Sequence, residues 1–247
     1  LSHNILIYEA HQSVLEKSTH NAYAKKIIDS WASAEWFTSK TPLSETIKVV
    51  VFRVDGETNT DDLSPATEAW SRPDIPLHAQ SMLVKKMDKP LETIEKLKEK
   101  GLPLAYVGDV VGTGSSRKSA INSVLWHMGE SIDYIPNKNT GGIVLGGKIA
   151  PIFFNTAEDS GALPIECDVS KLSMGDEITI HPFKGIITNS SDETISTFEL
   201  TPSTMPDEVR AGGRIPLIIG RALTDKTRTE LGLNVSDVFL RPIDPKN

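Results

Sequence analysis

The stretch from Gly108 to Ala120, Gly-Asp-Val-Val-Gly-Thr-Gly-Ser-Ser-Arg-Lys-Ser-Ala, restricts the fold of this chain more than any other. The apolar run before it, Pro103 to Val107, has the character of a buried strand, and Ser119 to Met128 after it has helical spacing. The chemistry is therefore expected on a strand-to-helix turn. Gly108, Gly112 and Gly114 allow positive φ and close approach of a ligand, and Ser115 and Ser116 have the hydroxyls to cap the helix. A helix N-terminus is partially positive and Arg117 adds a fork of donors, so the fitting ligand is a carboxylate or a phosphate.

A nucleotide P-loop is not expected, because Lys118 follows Arg117 rather than the last glycine of a Gly-x-x-x-x-Gly-Lys-Ser/Thr motif. An ordinary capped turn uses the same residue types, so a second motif has to decide. A net charge of −7 argues against a generic nucleic-acid binder, and any anion must be held by local arginines. No apolar run approaches the roughly 20 residues of a membrane helix. The single cysteine, Cys167, excludes an internal disulfide and cannot hold a metal cluster, so no metal is expected in this chain and a reducing cytoplasm is the expected compartment. The start at Leu1, with neither Met nor a signal-peptide pattern, suggests a piece of a longer chain.

From Gln12 to Phe37 apolar residues recur at near-helical spacing, interrupted around Ser18 to Asn21, which predicts two short helices. His3, His11 and His20 in this region read as solvated surface residues rather than metal ligands. A linker follows around Pro42. Ile47 to Val54 is a β-branched strand ending at Asp55-Gly56, and Gly56 to Ala66 reads as a polar, side-chain-braced loop. Lys85 to Lys100 predicts a surface helix, and Ile149 to Thr156 a helix or strand. Ala162 to Ile165 reads as a buried strand, and the turns at Met174 to Asp176 and Lys184-Gly185 join an antiparallel meander. Arg210, Arg214 and Arg221 cluster near Gly212-Gly213, where salt pairing is the expected use. The sum is an α/β chain: a mixed-sheet domain with a short all-α N-terminal segment.

Thr58-Asn-Thr-Asp-Asp-Leu-Ser-Pro-Ala66, Trp70-Ser-Arg-Pro-Asp-Ile-Pro-Leu-His78, Gly108 to Arg117 and Gly147-Lys-Ile-Ala-Pro-Ile-Phe-Phe-Asn155 together resemble the bacterial aconitase B family. The resemblance covers nearly all of 47–242. It implies the swivelling domain of that family at 47–247, of the isopropylmalate isomerase small-subunit type, a linker at 39–46, and the end of a HEAT-like helical domain at 1–38. It also implies an aconitate hydratase, a hydro-lyase interconverting citrate and isocitrate through cis-aconitate, with 2-methylisocitrate as a candidate further substrate. The family's [4Fe-4S] cluster would have its three cysteines outside this chain, in cluster-bearing domains of the same parent, so the fragment alone is expected to be inactive.

Mapped residue by residue, the family's Ser-Ser-Arg falls on Ser115, Ser116 and Arg117. The first serine resembles the base and the arginine a carboxylate clamp, with Ser116 also touching substrate. A further substrate arginine maps to Arg72 and an active-site aspartate to Asp61, where an Asx-turn role is equally compatible. Two other readings stand beside this one. The small subunit of an isopropylmalate-type isomerase shares the fold and a similar turn, but not the helical piece or the Asn-Thr-Asp-Asp loop. RNA binding by the cluster-free form is implied by the resemblance alone, since no basic stripe interleaved with aromatics is present.

Overall fold

Ile-Lys-Val-Val-Val-Phe-Arg-Val at 47–54 sends alternate side chains to two buried faces, as a strand covered on both sides must. Val50, Phe52 and Val54 enter one apolar cluster, Val49 and Val51 the other. The computed structural model describes residues 2–241. Three helices come first, α1 (Ser2–Lys17), α2 (Ala22–Ala32) and α3 (Glu35–Thr38), followed by strand β1 (Ile47–Asn59). Short helices α4 (Thr60–Leu63) and α5 (Ile75–Ala79) and the longer α6 (Pro90–Lys98) lead to β2 (Leu104–Thr113). After α7 (Lys118–Met128) come a hairpin of β3 (Glu130–Ile132) and β4 (Ile135–Thr140), then β5 (Ile143–Ile149), α8 (Pro151–Asp159) and β6 (Leu163–Glu166). The chain continues through β7 (Glu177–His181), β8 (Ile186–Thr188) and β9 (Thr194–Thr197) to α9 (Met205–Ala211) and α10 (Arg214–Glu230).

The main sheet has the order β6-β5-β2-β1-β7-β8-β9. Its first four strands are parallel and the remaining pairings antiparallel, giving the mixed sheet expected from sequence. Leu63, Ile94, Ile121, Leu125, Phe153 and Ala157 place α4, α6, α7 and α8 on one face of the parallel half. Met205 brings α9 to the other face. No helix among the described residues is long and apolar enough to cross a membrane.

Several elements differ from their sequence-based expectation. β1 does not end at Asp55-Gly56: the chain bulges there, and Glu57, Thr58 and Asn59 pair with Val110, Val111 and Thr113. Pairing with β2 satisfies the backbone of this polar segment, which is why it is strand rather than loop. β2 likewise runs through Gly108, an ordinary strand residue, to Thr113, and β5 runs through Gly146-Gly147. The helix predicted from Lys85 begins only at Pro90, which occupies its first turn after Lys89 in the left-handed region. The segment from Ile149 is helical from Pro151.

The N-terminal helices number three, and α1 starts ahead of Gln12. They pack on the C-terminal helices. Trp36 Nε1 donates to Thr224 Oγ1 at 2.9 Å, and Phe37, Ala211, Leu217 and Phe239 form a small apolar cluster. The side chain of His3 and residues 242–247 lie outside the described residues.

Candidate functional site

Asn59 and Thr113 are paired at the C-terminal ends of neighbouring parallel strands, and Ile149 ends the next strand over. Loops leaving such strand ends are where open α/β sheets bind ligands. Here they are α4, the turn Gly114 to Arg117, and the start of α8. Asn59 Oδ1 accepts from the N–H groups of Asp61 and Asp62, each at 2.8 Å, while Asp62 Oδ2 accepts from Asn59 N at 2.9 Å. This capping box fixes the polar Asn-Thr-Asp-Asp sequence as a rigid corner. From that corner Thr60 Oγ1 donates to the carbonyl of Ser115 at 2.8 Å and pins the serine turn.

The turn itself depends on two glycines with positive φ, Gly112 at 80° and Gly114 at 88°. A Cβ at Gly112 would lie 2.1 Å from Phe153 Cγ, so this glycine also admits α8 against the turn. The two serines do not cap α7. Arg117 occupies the N-cap position with no side-chain cap bond, because the serines lie one and two residues too early. Their side chains are exposed, and among the described residues neither hydroxyl hydrogen-bonds to the protein. They border a recess of about 100 Å³ walled by Thr60, Pro151, Phe153 and Thr156.

Arg117 is held in two ways. Its Nη1 pairs with Asp61 Oδ1 and donates to the carbonyl of Ser64 at 3.0 Å, which leaves Nε and Nη2 without a protein partner among the described residues. That remaining edge has the fork geometry suited to a carboxylate. Arg117, together with the N–H of Ala66, holds the Asp61 carboxyl below the usual carboxylate range. Asp61 thus accepts a backbone N–H five residues on, rather than the two of an Asx turn, and pairs with the arginine.

Arg72 is not part of this recess. It is half-buried, with Nε 3.1 Å from Glu68 Oε2 and Nη1 donating to Gln80 Oε1 at 3.0 Å and to the Leu77 carbonyl at 3.3 Å. The structure therefore brings Asp61, Ser115, Ser116 and Arg117 together and sets Arg72 on an adjoining segment. Sequence reasoning missed Asp109, whose carboxylate pairs with Arg53 and accepts from Gly56 N at 2.7 Å. It locks the bulge in β1, and its carboxyl is held low first by that backbone bond. A larger recess of about 530 Å³ beside Arg53 and Lys86 is lined by charges already engaged: Arg53 by Asp55, Asp109 and the Val169 carbonyl, Lys86 by the Glu57 carbonyl.

No group of three or more His, Cys, Asp or Glu suited to a metal occurs among the described residues. His11 is buried against Thr227, with Nε2 2.6 Å from Oγ1, so it is not the surface residue expected; His20 is exposed. Cys167 does not fit a cluster: it is buried, and burial pushes its thiol up to about 11, where it stays protonated at neutral pH. Of Arg210, Arg214 and Arg221, Arg214 alone forms the expected acid pairs among the described residues, with Glu158 and Asp159. Arg210 lies over the Phe37 ring and donates to the Thr38 and Lys40 carbonyls, and Arg221 donates to the Leu240 carbonyl.

A mixed α/β domain with an exposed Ser-Ser-Arg turn at its parallel strand ends is the class of domain that the fold and site define, and the comparisons give its family. The family model "Aconitate hydratase 2 N-terminus" matches residues 49–247 and "Aconitate B N-terminal domain" matches 1–37. This chain belongs to the aconitate hydratase B family. It is 65% identical over 245 residues to aconitate hydratase B of Synechocystis, covering 99% of this chain and 28% of that protein. It is 58% identical to the Escherichia coli protein of the same name over 256 residues, with 99% and 30% covered. The chain therefore spans under a third of the length of these relatives. Among solved structures, a 3-isopropylmalate dehydratase from Methanocaldococcus jannaschii superposes with a TM-score of 0.56 at 21% identity, covering 74% of this chain and 99% of that one. That likeness is one of fold, and it matches the swivelling-domain type expected from sequence.

Proposed function

We propose that this chain is the swivelling domain of an aconitate hydratase, with the domain at 47–247, a linker at 39–46 and the end of a helical domain at 1–38. The parent enzyme interconverts citrate and isocitrate through cis-aconitate in the cytoplasm, and 2-methylisocitrate is a further candidate for the same site. Ser115 is the base that takes the proton from the carbon next to a substrate carboxylate. Arg117 clamps a carboxylate through Nε and Nη2, Ser116 adds a hydrogen bond, and Arg72 approaches a second carboxylate from its own segment. The single supporting observation is the pairing of two unengaged, exposed serine hydroxyls with an arginine whose Nη1 is anchored and whose outer edge is free.

A serine hydroxyl is a weak base, so its alkoxide needs local stabilisation. The adjacent guanidinium and the N–H groups of the glycine turn supply it, and they do so best once a closing partner domain excludes water. The cluster implied by the family would take its ligands from the rest of the parent chain, and turnover is assigned to the assembled enzyme alone. In the full-length enzyme Ser115→Ala should lower kcat by about 10²–10⁴-fold with KM little changed, as for loss of a general base. Unchanged turnover, or a larger loss in Ser116→Ala, would overturn the assignment.

A further inference from the structure

Ser64, at the C-terminal end of α4 and 1% exposed, is gripped from three sides. Its carbonyl accepts from Arg117 Nη1 at 3.0 Å. Its hydroxyl lies 2.7 Å from Ser119 Oγ in the first turn of α7 and 3.0 Å from His78 Nε2 in α5. A hydroxyl has one proton to give and lone pairs to accept, so Ser64 satisfies both neighbours by donating to one and accepting from the other.

The same short helix holds the other arginine. Leu77, next to His78, accepts from Arg72 through its carbonyl at 3.3 Å, and Gln80 accepts through its side chain at 3.0 Å. Asp74 caps α5 on the N–H of Leu77 at 2.9 Å, so these acceptors move together. A continuous path of hydrogen bonds and one helical turn thus runs from the Arg72 guanidinium through α5, His78 and Ser64 to the Arg117 guanidinium. This path spans the two arginines, and beside it His127 Nε2, 2.8 Å from the Ala79 carbonyl, ties α5 to α7.

We propose that Ser64 and His78 are positioning residues that fix the distance and direction between the Arg72 and Arg117 guanidinium groups, and so select substrates with more than one carboxylate. The inference rests on the reading of both arginines as carboxylate clamps. Neither residue touches the substrate. Two clamps contribute fully only when their spacing matches the ligand before it arrives, because geometry set in advance avoids the ordering cost at binding.

The test is steady-state kinetics with citrate on the full-length enzyme carrying Ser64→Ala, His78→Leu or His78→Gln, with Ser115→Ala as the control for the site. Ser64→Ala and His78→Leu should raise KM about tenfold with kcat within about twofold, the pattern for interactions made equally in ground and transition states. His78→Gln, whose amide can still bond Ser64, should restore KM to within about threefold of the starting enzyme. Combining Ser64→Ala with Arg72→Lys should raise KM by less than the product of the separate effects, since the brace then has less to position. Unchanged KM in Ser64→Ala and His78→Leu would overturn the proposal. So would a joint fall of kcat and melting temperature without rescue by Gln, or full multiplicativity with Arg72→Lys, either of which marks a merely structural role. If Ser115→Ala keeps its turnover, the reading of the site falls and the brace with it; if only the brace variants are silent, the site stands.

Discussion

Arg117 lines a recess with the first residues of α8 and Arg214 pairs with its last, and each meets an acidic partner, yet the surroundings of the two pairs differ. Asp61, the partner of Arg117, is 57% exposed, whereas Glu158, a partner of Arg214, is 4% exposed and lies near Glu208, which is also buried. If Arg117 turns toward an incoming carboxylate, water solvates Asp61 at little cost. If Arg214 lets go, Glu158 remains buried among like charges, which is expensive. An arginine whose partner is solvated can adjust as its outer edge meets a ligand; one whose partner is buried is a fastening.

The largest effect that follows is on stability. Arg214→Ala should lower the unfolding free energy in urea melts by about 3 kcal/mol, the low end for breaking a buried pair, because Arg214 keeps a third of its side chain exposed. KM for citrate in the full-length enzyme should stay unchanged, and a rise there would erase the distinction between the two arginines. Arg117→Lys should do the opposite: KM up at least about tenfold from the loss of a charge-assisted fork, with the melting midpoint nearly constant. A large drop in stability would make Arg117 a fastening too.

The most gradual effect concerns pH. Burial first, and then Glu208, push the Glu158 carboxyl up to about 7, while in the unfolded chain it returns to the ordinary glutamate range. Between these values the folded state holds a proton that the unfolded state has released. Stability therefore falls as pH rises from about 4.5 to 7, by on the order of 1 kcal/mol per unit, and is level above. Asp207, also raised by burial, contributes with the same sign. Glu158→Gln should flatten part of that slope in melts run from pH 5 to 8, and an unaltered slope would remove Glu158 as its source.

The α/β class was legible because the β-branched run at Ile47 to Val54 and the apolar runs at Pro103 to Val107 and Ala162 to Ile165 announce buried strands without help from elsewhere. The polar extension of β1 was not, since its only support is the backbone of β2, a tertiary partner that no local pattern reveals. The β3–β4 hairpin escaped notice for a related reason: its strands are short and mostly exposed, with no alternation to detect. At the site, the glycines, serines and Arg117 were readable from residue type and spacing. Their anchors were not, because Thr60, Asp61 and Ser64 reach the turn from more than fifty residues away in sequence. A signal for Asp62 did exist, in the Asn59-x-x-Asp62 spacing of a capping box. Arg72 shows the opposite limit, for a motif can associate it with Arg117 but says nothing of the segment that stands between them.

The first residues of α8 wall the recess beside the serine turn, with Phe153 pressed into the space that Gly112 leaves, and its last residues grip Arg214. Nine helical residues span about 13 Å, and α8 is one unbroken helix over that length. α8 is therefore a strut: the floor of the recess and the mooring of the C-terminal helices are two ends of one rigid part. Since α10 also carries the N-terminal helices through Thr224 and Thr227, that helical layer and the serine turn are joined to the two ends of the same helix.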